Sequence, residues 1–91
     1  MSIQILIPAV FRPATAGAES VSVEAATVGD ALSQLCARHE TLRDRLFREQ
    51  GRLNRFINID CNDEDIRYSG DLSTPLKAGD RISLVPAVAG G

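Results

Sequence analysis

Two glycines close the sequence, in the stretch Leu84-Val85-Pro86-Ala87-Val88-Ala89-Gly90-Gly91. The one reactive group Gly91 carries is its α-carboxylate, a poor electrophile until ATP converts it to an acyl-adenylate. Glycine has no Cβ, so a partner's backbone and a nucleotide phosphate can approach that carboxylate closely. Gly91 is therefore the candidate reacting residue and Gly90 its companion in the approach channel. Such a protein is a macromolecular acyl group, not a catalyst. Pro86 cannot donate to a sheet ladder and tends to end strand pairing. Residues 87–91 are small and uncharged, which suits a flexible tail able to thread a narrow channel. Extended from Pro86, that tail reaches about 20 Å. The ordinary alternative is a frayed terminus that happens to end in two glycines.

Other reactive side chains are few. Cys36 and Cys61 lie far apart, form no CxxC and have no neighbouring histidine; they are expected as buried, reduced thiols. His39 is the only histidine, at an expected helix end. Asp60, Asp63, Glu64 and Asp65 crowd together, but their spacing is not that of a calcium loop. They read as a solvated acidic turn, with a docking surface for a basic partner as the alternative. There is no phosphate-binding loop, dinucleotide fingerprint, zinc spacing or Ser-His-Asp set, so an autonomous enzyme is not expected.

The bulk properties narrow the class further. At 91 residues, with 44% hydrophobic and 24% charged content, the chain suits one folded domain. A net charge of −2 with both signs interspersed gives no basic stripe for nucleic acid. No apolar run is long enough for a membrane span. The N-terminus lacks a basic region and a small-residue cleavage site, so it reads as a strand rather than a leader. The expected location is cytoplasmic and the expected state monomeric.

The elements that must position Gly91 follow from periodicity. Ile3, Ile5 and Ile7 alternate with Gln4, Leu6 and Pro8, which predicts a first strand; Leu6 spoils its polar face and suggests a strand covered on both sides. "RPATAGAE" reads as a loop, and Val21 and Val23 mark a second strand. Thr27 suits an N-cap three residues before Asp30. Val28, Ala31, Leu32, Leu35 and Cys36 then make one apolar helical stripe. A second short helix is expected from a Thr41 cap to Gly51, with Leu42, Leu46 and Phe47 inward and Arg43, Asp44, Arg45 and Arg48 outward. "LNRFINIDC" predicts a third strand with Ile57, Ile59 and Cys61 on one face, and "IRYS" a short strand pairing back. Leu72 and Leu76 anchor a turn-rich stretch. "RISLVP" is the last strand, with Ile82 and Leu84 inward and Ser83 and Val85 outward.

The order β-β-α-(α)-β-β-β is that of an α+β, β-grasp (ubiquitin-like) mixed sheet, in which the last strand would be free to sit centrally beside the first; some other small α+β sheet folds share the order. Residues 1–86 are the expected domain and 87–91 its tail. Phe56 and Val85 would stand on the open face of the sheet, and with Pro86 and Val88 they form the candidate partner-binding set. The competing place for Phe56 is beneath the stretch 43–51.

The segments "RFINIDCNDEDIRYSGDL" (55–72), "GDRISLVPAVAGG" (79–91) and "FRPATAG" (11–17) resemble ubiquitin-like sulfur carriers of the ThiS/MoaD family. The resemblance covers essentially the whole chain. Asp60-Cys61 departs from the apolar residues expected there, and Asp71 from a second glycine. The resemblance implies a β-grasp fold with no cofactor bound to this chain. It implies an E1-like adenylyltransferase that uses ATP and Mg²⁺ to adenylate Gly91, followed by sulfur transfer to give a thiocarboxylate. "NDEDIR" with "PAVAGG" points to the branch serving cysteine biosynthesis. There the partners would be a PLP-dependent cysteine synthase and a JAMM-type zinc metallopeptidase. Molybdopterin, thiamine or a sulfur-containing secondary metabolite is the alternative destination, and a ubiquitin-like protein modifier the alternative class.

Overall fold

The computed structural model describes residues 2–48, 52–54 and 56–86. Strands β1 (Ser2–Leu6) and β2 (Ser20–Glu24) form an antiparallel hairpin with Ile5 opposite Val21. Helix α1 (Val28–Arg38) and the shorter α2 (Glu40–Leu46) follow. Strand β3 (Ile57–Cys61) turns through Asn62 and Asp63, both at positive φ, into the two-residue β4 (Glu64–Asp65). Strand β5 (Arg81–Pro86) closes the sheet.

The sheet order is β2-β1-β5-β3-β4. β5 is parallel to β1, with Ile5 beside Ile82, and antiparallel to β3, with Ile59 beside Leu84. This is the expected β-grasp arrangement. α1 packs across one face, burying Val28, Ala31, Leu32, Leu35 and Cys36 against Ile3, Ile5, Val23, Ile59 and Ile82. Each of the Val, Leu and Ile side chains contributes roughly 1.5–3 kcal/mol on leaving water.

The start of α1 is pinned twice. Thr27 accepts a hydrogen bond from the Asp30 N–H at 3.2 Å, as its N-cap position requires. Val28 N–H donates to Thr74 C=O and Leu76 N–H to Ala26 C=O, tying the helix to the stretch that leads into β5. Gly29 makes this close approach possible: a Cβ there would lie 3.0 Å from the Leu72 carbonyl oxygen.

Several expectations are corrected. Leu6 is exposed, as are Ser2 and Gln4, so β1 is covered on one side only and the sheet has an open face. Residues Ala9–Thr15 form a 3₁₀ helix rather than a loop, because Phe11 and Thr15 turn inward to close the end of the core. α2 begins at Glu40, capped by position His39, not Thr41, and ends at Leu46; Gly51 lies outside the described residues. The third strand starts at Ile57, while Leu53 pairs instead with Phe47. Ile66–Tyr68 is a 3₁₀ turn, not a strand, since Asp65 accepts from Arg67 N–H and bends the chain. Asp71 stands at φ 53°, the left-handed region where glycine is least strained, so its place in a glycine pattern is conformational.

The outer edge of β2 is closed by α1. Arg38 Nη1 donates to Ser22 C=O at 2.7 Å, and Gln34 Nε2 donates to Glu24 C=O. These carbonyls face away from β1, where another chain's strand could add. Replacing both Gln34 and Arg38 by alanine is expected to leave the fold intact and to produce concentration-dependent self-association, read by sedimentation velocity.

Candidate functional site

The site is built around the root of the C-terminal segment. β5 is the central strand, so Arg81–Ser83 are held by β1 on one side and β3 on the other. The β1 pairing stops at Leu6–Ser83, whereas the β3 pairing continues to Ile57–Pro86. Asn62 N–H donates to Arg81 C=O at 2.8 Å. The alternation of an antiparallel ladder then turns the backbone groups of Ile57 and Pro86 away from each other. The N–H that Pro86 lacks would point toward the side that β1 has left. Proline there forfeits no ladder bond, and it restricts φ at the last described position of β5.

Around this root the open face carries exposed apolar surface. Phe56 is 45% exposed, Val85 39% and Leu6 37%. Val85 pairs with Asn58, and Phe56 precedes Asn58 by two positions, on the same face by strand alternation. Phe56 thus lies at the surface, not buried under 43–51. Its backbone is set by Asn54, whose Oδ1 accepts from Phe56 N–H at 2.9 Å while its Nδ2 donates to Arg45 C=O at 3.0 Å. Pro86 is half-buried at the rim. Val88, Gly90 and Gly91 lie outside the described residues. Leu6 and Asn54 were not among the sequence candidates. Leu6 had a readable signal, an apolar residue in an otherwise polar row, whereas the role of Asn54 depends on contacts that only the fold creates.

The remaining candidates do structural work. Cys36 is buried and Cys61 half-buried, a correction for the second; both are free. Burial pushes the Cys36 thiol up, against a smaller opposing pull from Arg43. Burial, with Asp80 and Glu64, pushes up the Cys61 thiol. Protonated thiols are weak nucleophiles, so neither is activated. His39 joins the two helices: its N–H donates to Leu35 C=O at 2.9 Å. Among the described residues no group of three or more His, Cys, Asp or Glu is placed to hold a metal. A cleft of about 190 Å³ lined by Leu53, Ile57, Ile66 and Asp71 also includes Asp65 and Arg67, whose charges meet at 2.6 Å.

The acidic turn closes the opposite end of the sheet. Asp80 accepts from Lys77 N–H at 2.8 Å and from Asn62 Nδ2 at 2.9 Å, and these bonds hold its carboxyl below the usual range. Asp65 is lowered likewise by its hydrogen bonds from Arg67. A carboxyl lowered by folding stabilises the fold above its unfolded pKa, and that contribution is lost as pH falls through the folded value. The urea midpoint is therefore expected to drop as pH falls from about 5 to about 3, and Asp80→Asn to show a shallower drop. Phe56→Asp is expected to leave the thermal midpoint within about 4 °C of wild type, because surface changes usually stay within ±0.5 kcal/mol. Calorimetry of that variant checks the placement of Phe56 at the surface.

Comparison with known proteins agrees with this geometry. The chain matches the ThiS family over residues 5–91. The sulfur carrier protein CysO of Mycobacterium tuberculosis is 43% identical over 93 residues, covering all of both chains. A chain in the crystal structure of the Amycolatopsis orientalis BexX/CysO complex superposes with a TM-score of 0.88 at 42% identity, over 98% of this chain and 99% of that one. The crystal structure of SAMP1 from Haloferax volcanii superposes with a TM-score of 0.85 at 35% identity, over the full length of both. With a five-stranded β-grasp sheet and a family match that runs to Gly91, the chain belongs to the ThiS family.

Proposed function

We propose that this protein is a sulfur carrier whose Gly91 carboxylate is activated and thiolated by partner enzymes, for delivery to cysteine biosynthesis. The observation that carries the reading is full-length similarity to the sulfur carrier CysO, at 43% identity. The central position of β5 supports it, because the strand that leads to the terminal segment is held by β1 and β3.

The chemistry asked of this chain is limited to its terminus. The Gly91 carboxylate attacks the α-phosphorus of ATP, supplied with Mg²⁺ by an E1-like enzyme, and pyrophosphate leaves. A sulfide-level donor then displaces AMP at the acyl carbon, giving a thiocarboxylate. That group is anionic near neutral pH and a good nucleophile. Its sulfur would add to the β-carbon of an aminoacrylate that a PLP-dependent cysteine synthase makes from O-phosphoserine; acyl shift from sulfur to the amino group would give an amide-linked carrier–cysteine adduct, which a JAMM-type zinc peptidase would hydrolyse with one water to cysteine and the Gly91 carboxylate. ATP, PLP and zinc belong to those partners. Phe56, Val85, Pro86 and Val88 form the recognition surface beside the tail, while Gly90 keeps the channel approach open. The chain acts as a protein co-substrate.

A second reading, a ubiquitin-like modifier, draws on the likeness to SAMP1, the small archaeal modifier protein of Haloferax volcanii. Stable lysine conjugates on a denaturing gel would favour it. An intact mass spectrum of the protein from its native host under sulfur demand tests the first reading. A sulfur-for-oxygen increase localised to Gly91 is expected, and a cysteine adduct there would identify the destination. One residue added after Gly91, or Gly90→Val, should abolish thiolation with no change in the thermal unfolding curve. Thiolation of either variant at the wild-type rate would contradict the assignment.

A further inference from the structure

The expectation of evenly interspersed charge needs correction, because one stretch is rich in arginine. Arg38, Arg43, Arg45, Arg48, Arg52 and Arg55 lie within one stretch that contains Glu40, Asp44 and Glu49 as its only carboxylates. Two of these arginines are brought face to face. Phe47 and Leu53 form an antiparallel bridge, Arg48 N–H donates to Arg52 C=O, and Asn54 N–H donates to Leu46 C=O. Arg48 and Arg52 are therefore directly opposite, and side chains at opposed positions leave the same face. Phe47 and Leu53 pack against the core, whereas Arg48 and Arg52 are exposed. Like charges directly opposite each other are destabilising. Among the described residues neither arginine has a carboxylate within salt-bridge distance, so no described carboxylate relieves this repulsion. Glu49 lies outside the described residues.

The pair sits at the end of the molecule where the tail begins. Asn54 links this neck to Arg45 and to Phe56, and Ile57, the next residue, pairs with Pro86. Arg45 stacks on Phe11, in the 3₁₀ helix that follows β1 at the same end of the sheet. The carboxylates of Asp63, Glu64 and Asp80 gather at the other end, where β3 turns into β4. The two ends are separated by the length of β3, roughly 14 Å at strand rise. That exceeds the ~8 Å Debye length at physiological salt, so the acidic end does not cancel the field around the arginines.

We propose that Arg48 and Arg52, flanked by Arg45, form a docking point for a carboxylate-rich surface of a partner protein beside the tail root. A carboxylate bridging the two guanidiniums relieves their repulsion and forms charge-assisted hydrogen bonds. Its position orients the partner toward the segment leaving β5, while Phe56 and Val85 supply apolar contact. The partner's purpose rests on the carrier reading; the docking chemistry does not.

The test is a ¹⁵N-resolved NMR titration of the full chain with a short oligoglutamate peptide, and separately with an oligothymidylate of equal length. Oligoglutamate is expected to shift amides in 45–54 and neighbouring Phe56, and to lose affinity steeply between about 20 and about 200 mM salt. Arg48→Glu with Arg52→Glu should weaken it about tenfold or more, whereas Arg81→Glu, at the far end, should not. Should the double variant unfold, Arg48→Gln and the wild-type salt series carry the same comparison. Shifts scattered over the surface, or equal binding by the variants, would overturn the proposal. Tighter binding of oligothymidylate at these residues would overturn the choice of a protein partner. None of these readouts involves sulfur loading, so failure here is separate from failure of the carrier assignment.

Discussion

Everything in this domain depends on the insertion of β5 between β1 and β3. The strand latest in sequence is the one that joins the N-terminal hairpin to the β3–β4 hairpin. Its inward residues, Ile82 and Leu84, meet the helix-covered core, and its outward residue Val85 meets solvent. A parallel β1–β5 pair needs a long crossover, which α1 and the stretch after it provide. The same geometry leaves the terminal segment starting from the middle of a rigid sheet instead of from its edge. Rigidity at the root and lack of bulk beyond it are complementary: the first gives direction, the second gives access.

The polar side chains divide the labour along the sheet. At the end away from the tail, Asn62, Asp80 and Lys77 satisfy one another and lock the β3–β4 turn to the start of β5. Along the β2 edge, Gln34 and Arg38 occupy carbonyls that would otherwise invite another strand. At the tail end the pattern changes: Arg12 pairs with Glu19, but apolar Phe56, Val85 and Leu6 are exposed, and Arg48 and Arg52 meet no carboxylate among the described residues. A domain that closes two of its borders and exposes apolar and cationic surface at the third has a preferred side for meeting other proteins.

Much of this was legible in the sequence, and the reasons are specific. Ile3, Ile5 and Ile7, Val21 and Val23, and Ile82 and Leu84 follow the strand period, so their inward face was readable. Thr27 and the stripe from Val28 to Cys36 marked α1 because cap chemistry and helical period agree. The 3₁₀ helix at Ala9–Thr15 was not readable, since a stretch containing Pro13 and small residues has no periodic signature and its shape follows from burying Phe11. Thr41 offered a plausible cap, but α1 and α2 follow one another so closely that His39 serves both ends. The neck holding Arg48 against Arg52 comes from the Phe47–Leu53 bridge, a tertiary pairing with no local pattern. Of the candidate site, the exposure of Phe56 and Val85 was deducible from alternation, whereas the hold of Asn54 on Phe56 was not. The reactive terminus was legible as chemistry because it depends on composition, not on packing.

The central strand is also translated after β1, β2, β3 and β4. During synthesis the two hairpins can form locally, but neither can gain its shared neighbour until β5 has emerged. The apolar faces of β1 and β3 must wait for it, and the domain has no route to a complete sheet from an unfinished chain. Closure of the core thus waits for almost the whole chain: a polypeptide broken off before β5 lacks both its terminal segment and its complete sheet, and quality control that removes unfolded chains would remove it.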